Sequence, residues 1–383
     1  MRILTTLTYY RPHYSGLTIY AERLARALVA RGHHVTVVTS RFDRELAGHE
    51  VRDGVEVIRP SVLMRISKGV IMPGLPFRAE QIARQADIVH LHLPQLDAAY
   101  IALLARSVGK PVVLTYHCDL HLPSGAIHRL ANLASSIANH ISARAANRIV
   151  TNTQDYAEHS VFLKHYLDKV HVIPPPVVLP EPDPGSVESL RCKAKIQPGQ
   201  RIIGMAARLA SEKGVEYLVE AMPIILEKHP TARVLFMGQY KNVLGEEMYA
   251  RKLAPLIEKL GQHWTFLGNL SPGELAVFFR ESELTVLPSI NSTESFGMVQ
   301  VEAMTCGTPV VATDLPGVRQ PVRMTGMGLV VPPEDPRSLA RAIISILDSP
   351  KGYGGDPAAV AQQFSPETIA EAYEGLFLEL LKG

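Results

Sequence analysis

The stretch IPPPVVLPEPDPG, residues 173–185, decides how the 383-residue chain is organised. Six of its thirteen residues are proline, which lacks the backbone N–H and the freedom in φ that a helix interior or a central strand requires. We therefore predict a hinge here, between a first domain in residues 1–172 and a second domain in residues 186–360. The length of each predicted domain is close to the ~150 residues that a domain typically contains.

Both sides of the hinge show the alternation of strands and helices that is typical of parallel α/β sheets. Before it, we predict the strand RILTTLT, the helix LTIYAERLARALVARG and the strand HVTVVTS. After it, the pattern restarts with the strand RIIGMAA and the helix GVEYLVEAMPIILEKHP. The predicted fold class is α/β, with two Rossmann-like, doubly wound parallel sheets. A closing helix within residues 361–383 is a candidate for crossing back to the first domain.

The composition bears on which binding partners and which cellular compartment the chain is suited to. Net charge is 39 − 37 = +2, without basic runs interleaved with aromatic residues, so nucleic-acid binding is not predicted. The cysteines Cys118, Cys192 and Cys306 form no C-x-x-C pair and no disulfide framework, which fits a reducing compartment. The N-terminus has no signal-peptide core, and no apolar run is long enough for a membrane span. We predict a cytoplasmic protein, with peripheral attachment to the inner face of the membrane left open.

Ligands of parallel sheets bind beyond the carboxyl ends of the strands, so segments that follow strands are candidate sites. In TYYRPHYSGLT, Gly16 precedes a helix and would let backbone N–H groups approach a phosphate; the alternative is a glycine that only makes the turn. In GMAARLASEKG, Arg208 and Lys213 lie on either side of a turn and suit a pyrophosphate. The alternative there is a solvated loop with two ordinary cations.

The segment PSINSTESFGMVQVEAMTCGTP, residues 288–309, places Glu294 before a predicted helix and Glu302 more than a turn inside it. Eight helical steps span ~12 Å and rotate ~80° beyond two turns, whereas the carboxylates of a retaining glycosidase lie ~5.5 Å apart. The two glutamates therefore indicate contacts to opposite ends of a long ligand. Taken singly, Glu302 also fits a plain helix glutamate, and Glu294 fits a charge that favours the helix dipole.

Taken together, the restart after the hinge, the segment ARLASEKG and the E-x7-E around SFG resemble the retaining GT-B glycosyltransferases, specifically glycosyltransferase family 4. The resemblance covers essentially the whole chain. Its most specific part is ESFGMVQVEAMTCGTPVVATDLPGV, residues 294–318. It implies a GT-B fold, in which two Rossmann-like domains face each other across a cleft, and catalysis without a metal.

The resemblance also implies roles for second-domain residues at matching positions. Glu302 would bind the ribose hydroxyls of the nucleotide, and Glu294 would hold and position the donor sugar. Arg208 and Lys213 would bind the diphosphate and stabilise the leaving nucleoside diphosphate. Backbone amides of three further residues would face the sugar and phosphates: Phe296, Gly297 and Met298.

In the first domain the match to the family is partial. Gly16 would approach the phosphate, but this chain has Ser15-Gly16 where the family usually has Gly-Gly. His117, in LTYHCDLHLPSG, would contact the donor sugar and face the acceptor. The family often has His followed by Asp, whereas here Cys118 follows and Asp119, one residue later, is a candidate acceptor contact only. The predicted catalytic residues are Glu294, His117, Arg208 and Lys213.

Two groups of histidines raise the question of a metal site. His90 and His92 share one face of a strand in HLHLP, and His117 and His121 follow in HCDLH. Because no acidic partner lies at ligand spacing and histidines at strand ends commonly line pockets, pocket-lining histidines are favoured over a metal site. The chain also has no Asp-x-Asp, the metal-dependent nucleotide-sugar motif of the other large glycosyltransferase fold. We predict no metal and no cofactor, since the nucleotide sugar is a substrate.

Residues 61–78, SVLMRISKGVIMPGLPFR, mix apolar residues with Arg65, Lys68 and Arg78. They are a candidate amphipathic face for an anionic membrane surface, which would suit a lipid-linked acceptor. The favoured alternative is a loop and helix packed on the first domain.

The predicted function is a retaining hexosyltransferase that uses a UDP- or GDP-linked sugar, such as GDP-mannose, and a glycan, lipid-linked or small-molecule acceptor. No residue is a well-placed nucleophile, so the front-face route discussed for the family is favoured. One alternative is a GT-B nucleotide-sugar 2-epimerase, against which the E-x7-E around SFG argues. The other is a catalytically silent nucleotide-sugar-binding scaffold, which the intact charged residues at 208, 213, 294 and 302 disfavour.

Overall fold

The computed structural model describes residues 1–66, 69–119 and 126–382. They form two compact units: a first unit of Met1–Pro176 and Phe364–Gly383, and a second unit of Val177–Gln363. The change of unit falls within the proline-rich stretch. Lys68 and His121, named above, lie outside the described residues. Within the described ranges, no helix has the length and apolar character needed to cross a bilayer.

The first unit is built on an eight-stranded sheet in the order β10-β9-β8-β7-β1-β2-β4-β3. The strands of this sheet are β1 (Arg2–Thr6), β2 (His34–Val38), β3 (His49–Arg52), β4 (Val55–Ile58), β7 (Ile88–Leu93), β8 (Val112–Tyr116), β9 (Arg148–Thr151) and β10 (Val170–Val172). Two further strands, β5 (Met64–Ile66) and β6 (Gly69–Ile71), form a separate ribbon. The helices of the unit are α1 (Gly16–Ala30), α2 (Leu75–Gln85), α3 (Ala98–Ser107), α4 (Ala126–Ala145), α5 (Gln154–His159) and, at the end of the chain, α14 (Pro366–Lys382). The sheet is parallel except for β3, which pairs antiparallel with β4.

The β3–β4 hairpin was not among the predicted elements. Its turn is Asp53-Gly54, with positive φ values of 51° and 79°, and an Asp-Gly pair is a common two-residue hairpin turn. The strand β3, HEVR, lies at the sheet edge and is mostly exposed. It therefore lacks the alternation of apolar residues from which strands are predicted.

Residues 61–78 contain β5, β6 and the start of α2. Within their described part, Val70 and Met72 are buried in the core of the first unit. Leu63, Met64 and Phe77 are exposed. Packing on the domain accounts for the buried residues, and membrane contact by the exposed ones stays a prediction.

The second unit is built on a six-stranded parallel sheet in the order β13-β12-β11-β14-β15-β16. Its strands are β11 (Arg201–Ala206), β12 (Ala232–Met237), β13 (Trp264–Gly268), β14 (Leu284–Leu287), β15 (Val310–Thr313) and β16 (Gly328–Val331). Its helices are α6 (Pro184–Ala194), α7 (Val215–Lys228), α8 (Glu247–Leu260), α9 (Pro272–Glu281), α10 (Met298–Thr305), α11 (Gln320–Thr325), α12 (Pro336–Asp348) and α13 (Pro357–Gln363).

The helix α6 begins inside the predicted hinge, at Pro184. Asp183 caps this helix, because its Oδ1 accepts a hydrogen bond from the Ser186 N–H at 2.8 Å. A proline at the first helical position loses no hydrogen bond, since the first N–H groups of a helix have no partner within it. The last two residues of the stretch 173–185 are therefore helical.

The helix α14 packs against α1 in the first unit. Tyr373 is fully buried, and its hydroxyl lies 2.7 Å from the Tyr20 hydroxyl and 2.7 Å from Thr115 Oγ1. Phe377, one turn further along α14, is buried beside it. Residues that follow the second unit in sequence are thus part of the core of the first unit.

Candidate active site

The strand order of the second unit reverses between β11 and β14. The chain runs outward through β12 and β13 on one side and through β15 and β16 on the other. The strands β11 and β14 are neighbours, with Ile203 opposite Leu284. Ligands of open α/β sheets bind at such a reversal, beyond the carboxyl ends of the strands. The loops that follow these two strands, residues 207–214 and 288–297, are therefore the candidate site of this unit.

The loop after β11 carries the two predicted diphosphate ligands. It ends in a short 3-10 turn, Ser211–Lys213, which Glu246 holds by accepting a hydrogen bond from the Ser211 N–H at 3.0 Å. The Arg208 side chain is 48% exposed and donates to Glu212 Oε1 at 2.8 Å. Because exposed ion pairs are worth little, an incoming anion can compete with Glu212 for Arg208.

An ion pair joins the loop after β11 to the loop after β14. Lys213 Nζ lies 2.6 Å from Glu294 Oε2, and the two side chains are mostly buried. The backbone supports the pair, because the Ile290 N–H donates to the Glu212 carbonyl oxygen at 3.1 Å. Two predicted site residues, 81 positions apart in the sequence, are therefore in direct contact at the reversal point.

Gly214 allows the two loops to approach closely. Its φ is +62°, and a Cβ at this position would lie 2.1 Å from the carbonyl oxygen of Pro288. Backbone atoms cannot move aside as a flexible side chain can. A residue other than glycine would therefore push apart the loops that hold the Lys213–Glu294 pair.

We expect Gly214→Ala to destabilise the second unit by at least ~1 kcal/mol more than Gly326→Ala. Gly326 is the matched control, because its φ is +69° but nothing lies within 4 Å of the point that a Cβ would occupy there. The difference between the variants isolates the clash with Pro288 from the cost of a positive φ. Urea denaturation measures both free energies of unfolding, and equal losses would contradict this role of Gly214.

The loop after β14 is fixed where it enters α10. Gly297, the N-cap of α10, has a φ of +77°, and a Cβ there would lie 2.4 Å from Leu287 Cδ2. Gln300 Nε2 donates to the carbonyl oxygens of Phe296 at 2.8 Å and of Val318 at 2.9 Å. The helix start is close to the predicted one, and the first N–H groups of α10, beginning with that of Met298, are held in a defined position.

Glu302 lies in the middle of α10 and is only 8% exposed. The alternative interpretation, a plain helix glutamate, would therefore place this residue largely away from solvent. Its backbone carbonyl accepts a hydrogen bond from the Thr305 hydroxyl at 2.8 Å. Burying a carboxylate is costly, so a buried glutamate here suits a site that uses the charge. Its contact with a ribose stays a prediction.

In the first unit, Gly16 is the first residue of α1 and Ser15 is the N-cap. Ser15 Oγ accepts a hydrogen bond from the Thr18 N–H at 3.3 Å, and Thr18 Oγ1 accepts one from the Ser15 N–H at 2.8 Å. This capping box stabilises the helix start, which gives a physical reason for serine where the family usually has glycine. The phosphate contact of Gly16 stays a prediction.

His117 follows β8 and contacts two buried aromatic residues. Its Nε2 lies 2.8 Å from His92 Nδ1, and its ring meets the Tyr20 ring edge to face at 4.8 Å. Desolvation lowers the pKa of His117 to about 3. The imidazole is therefore neutral at neutral pH, and its contact with the donor sugar stays a prediction.

The histidines of β7 are engaged with neighbouring side chains. His90 is fully buried, with Nε2 2.7 Å from Thr115 Oγ1, and His92 contacts His117 as described. In the part of the chain that the structure describes, no group of three or more His, Cys, Asp or Glu side chains is arranged to hold a metal ion.

Asp119 has a structural role that the sequence did not indicate. Its Oδ1 accepts hydrogen bonds from the Tyr116 hydroxyl at 2.9 Å and the Ser160 hydroxyl at 2.7 Å. Its backbone N–H donates to the Tyr156 hydroxyl at 2.7 Å, and the residue is 3% exposed. An acceptor contact by Asp119, still a prediction, would have to replace these internal partners.

Three site residues were missed by the sequence analysis: Glu212, Glu246 and Gln300. The sequence contained a signal for Glu212, because an acid four residues after Arg208 is spaced to pair with it. Glu246 carried none, since it is 35 positions from the turn that it holds. Among the predicted residues, Gly16, His117 and Asp119 belong to the first unit and the remainder to the second.

Known protein families match both halves of the chain. Residues 14–179 match the family described as Glycosyltransferase Family 4, and residues 186–360 match Glycosyl transferases group 1. A D-inositol 3-phosphate glycosyltransferase of Corynebacterium jeikeium is 33% identical over 95% of this chain and 92% of that protein.

Solved structures show the same fold. The structure of Anabaena HepE in complex with UDP and glucose has a TM-score of 0.78 at 21% identity, covering 99% of this chain and 100% of HepE. Sucrose-phosphate synthase from Thermosynechococcus elongatus has a TM-score of 0.76 at 22% identity, covering 100% of this chain and 99% of the synthase. The predicted family and fold class are confirmed: the chain belongs to the glycosyltransferases of the family 4 type and has their GT-B fold.

Proposed function

We propose that the chain transfers a hexosyl unit from a nucleotide diphosphate sugar to an acceptor hydroxyl, with retention of the anomeric configuration and without a metal ion. The observation that carries the proposal is the Lys213–Glu294 pair at the reversal point of the second sheet. It holds a cation suited to a diphosphate beside a carboxylate suited to sugar hydroxyls. Structural neighbours solved with UDP, glucose or UDP-glucose support this donor class.

In the proposed reaction, the acceptor oxygen bonds to the anomeric carbon as the bond from that carbon to the diphosphate breaks. The acceptor proton passes to the departing phosphate oxygen, so no protein nucleophile is required. Arg208 and Lys213 stabilise the charge that grows on the leaving diphosphate. Glu294 orients the sugar and Glu302 the ribose, so that the acceptor meets the anomeric carbon in a productive geometry.

The other predicted residues have supporting roles in the proposal. Backbone amides at the start of α10 face the sugar and phosphates, and Gly16 approaches the phosphate from the first unit. His117 offers a neutral imidazole to a hydroxyl of the donor sugar.

The acceptor is proposed to be a glycan, a lipid-linked sugar or a small molecule. The relatives named D-inositol 3-phosphate glycosyltransferase make a phosphorylated cyclitol the first small-molecule acceptor to test. UDP-glucose is the first donor to test, because it is bound in one structural neighbour.

A donor panel tests the proposal. The protein is mixed with UDP- and GDP-linked glucose, galactose, N-acetylglucosamine and mannose, and thermal unfolding and donor hydrolysis are measured with and without EDTA. We expect one donor to stabilise the protein by ~2.7 kcal/mol at 100 times its dissociation constant, and to be hydrolysed slowly whether or not EDTA is present. If no nucleotide sugar raises the melting temperature, the proposal is wrong.

The same panel separates the two alternatives. A 2-epimerase would change the configuration at C2 of the donor sugar without any acceptor. A silent scaffold would bind a donor and neither hydrolyse nor transfer it. NMR of the product of a successful transfer reports the anomeric configuration, and inversion would contradict the retaining mechanism.

A further inference from the structure

Two neutral imidazoles meet at the carboxyl ends of β7 and β8. His92 Nδ1 lies 2.8 Å from His117 Nε2, the ring centroids are 5.1 Å apart and the ring planes lie 15° from parallel. These values require the two nitrogens to meet head-on, within the ring planes, as a hydrogen bond does. Desolvation lowers the pKa of His117 to about 3 and that of His92 well below its ordinary value. Each ring therefore carries one N–H at neutral pH, and one ring donates to the other.

The surroundings of His92 decide which ring donates. His92 is 1% exposed, and among the described residues its Nε2 has no hydrogen-bond partner. If His117 donated, the single proton of His92 would lie on Nε2, as a buried N–H without an acceptor. If His92 Nδ1 donates, Nε2 keeps only a lone pair, and a buried acceptor without a partner is tolerated better than a buried N–H without one. The donor is therefore His92 Nδ1.

The proton of His117 is thereby assigned to its other nitrogen. Because Nε2 accepts the hydrogen bond from His92, the N–H of His117 is on Nδ1. The residue is partly exposed, unlike His92. The Tyr20 ring packs against the His117 ring at 4.8 Å, with an angle of 90° between the ring planes. The Tyr20 hydroxyl is in turn 2.7 Å from the Tyr373 hydroxyl of α14. Contacts on two sides thus fix the orientation of the His117 ring.

We propose that His92 is a positioning residue for glycosyl transfer, which holds His117 in the tautomer that donates through Nδ1. His117 Nδ1–H then donates to a hydroxyl oxygen of the donor sugar. In the opposite tautomer Nδ1 would present a lone pair, and the same hydroxyl would have to rotate and donate instead. The tautomer is a property of the folded first unit, whereas its use in transfer rests on the proposed function.

Nitrogen-15 NMR of the full chain, labelled at histidine, tests the tautomer. The protonated and unprotonated nitrogens of a neutral imidazole resonate far apart, and the variant His117→Gln identifies the signals of residue 117. We expect His117 to be protonated at Nδ1 in the wild type at pH 7. His92→Asn keeps this form, because its amide N–H replaces the Nδ1–H of His92. His92→Leu removes the donor, and His117 moves toward the Nε2–H form that free histidine favours.

Transfer rates test the positioning role, with His90→Leu as the matched control. His90 lies two residues before His92 on β7 and is fully buried, but its Nε2 lies 2.7 Å from Thr115 Oγ1. We expect His92→Leu to lower kcat/KM about tenfold, the effect of one hydrogen bond. His92→Asn restores most of the rate, and His90→Leu changes it by less than about twofold. In a His117→Ala background His92→Leu causes no further loss, because the two residues act as one unit.

Three results would overturn the inference. One is a wild type in which His117 is protonated at Nε2, and another is an equal loss of rate from His92→Leu with and without His117. The third is an equal loss from His92→Leu and His90→Leu, which would indicate a general effect on the core. Melting temperatures verify the folding of each variant, and the wild-type spectrum requires no substitution of His92. A chain that turns over no nucleotide sugar would contradict the proposed function, and the same spectrum would still decide the tautomer.

Discussion

Lys213→Ala is expected to lower kcat/KM for glycosyl transfer by roughly 100-fold to 1,000-fold, the loss typical of removing one group that stabilises developing negative charge. Lys213 lies where the strand order reverses, and its ammonium is 2.6 Å from Glu294. In the proposed site, the Glu294 carboxylate would then face the donor diphosphate without the Lys213 cation between them. Repulsion then adds to the lost attraction, so the nucleoside diphosphate itself binds more weakly.

Glu294→Gln separates the role of the carboxylate from that of the cation. The amide keeps the shape of the side chain and leaves Lys213 at most a neutral hydrogen-bond acceptor, so affinity for the nucleoside diphosphate is retained or rises. Transfer still falls, because the sugar loses a charged hydrogen-bond acceptor. Calorimetric dissociation constants and initial rates measure both effects, with Lys259→Ala, an exposed cation in the last turn of α8, as the control. Equal losses of diphosphate affinity from Lys213→Ala and Glu294→Gln would contradict these roles.

Phe377→Ala is expected to lower the free energy of unfolding of the first unit by ~3–5 kcal/mol. The Phe377 ring is 0% exposed, and its centroid lies 5.8 Å from the ring centroids of both Tyr373 and His90. Truncation removes apolar area from the core and leaves a cavity between α14 and the sheet.

The matched control for Phe377→Ala is Leu378→Ala, the next residue of α14, which is 40% exposed. A surface truncation of this kind changes stability by about 0.5 kcal/mol or less. Differential scanning calorimetry resolves the unfolding of the two units. Equal effects of the two substitutions, or a shift confined to the second unit, would show that α14 does not stabilise the core of the first.

Periodic and buried elements of the fold were predictable from sequence, and edge elements were not. The strands β7 and β8, IVHLHL and VVLTY, are fully buried runs of the kind that a parallel sheet requires. The strand β3 is mostly exposed, so its residues carry no burial pattern. The Asp53-Gly54 turn was the available signal for its hairpin.

The residue types of the candidate site were predictable, but most of its contacts were not. The spacing of Glu294 and Glu302 indicated two separate roles, and the structure has one residue in a loop and the other buried in a helix. The contact of Lys213 with Glu294 depends on β11 and β14 being neighbours in the sheet, which neither local segment encodes. The bonds that occupy Asp119 depend on Ser160, 41 positions away. Such pairings depend on the order of the strands in the sheet. The helix and strand propensities of the local sequence do not predict them.

The inclusion of α14 in the first unit has a consequence for biosynthesis. Residues 364–382 leave the ribosome only after the whole of the second unit has been translated. The Tyr20 hydroxyl and the apolar surface around it therefore cannot pack against α14 until Tyr373, 353 positions later in the chain, has been translated. Because domains fold as units during synthesis, the second unit, which is continuous in sequence, is able to fold before the first is complete. The first unit can complete its core only after α14 has been translated.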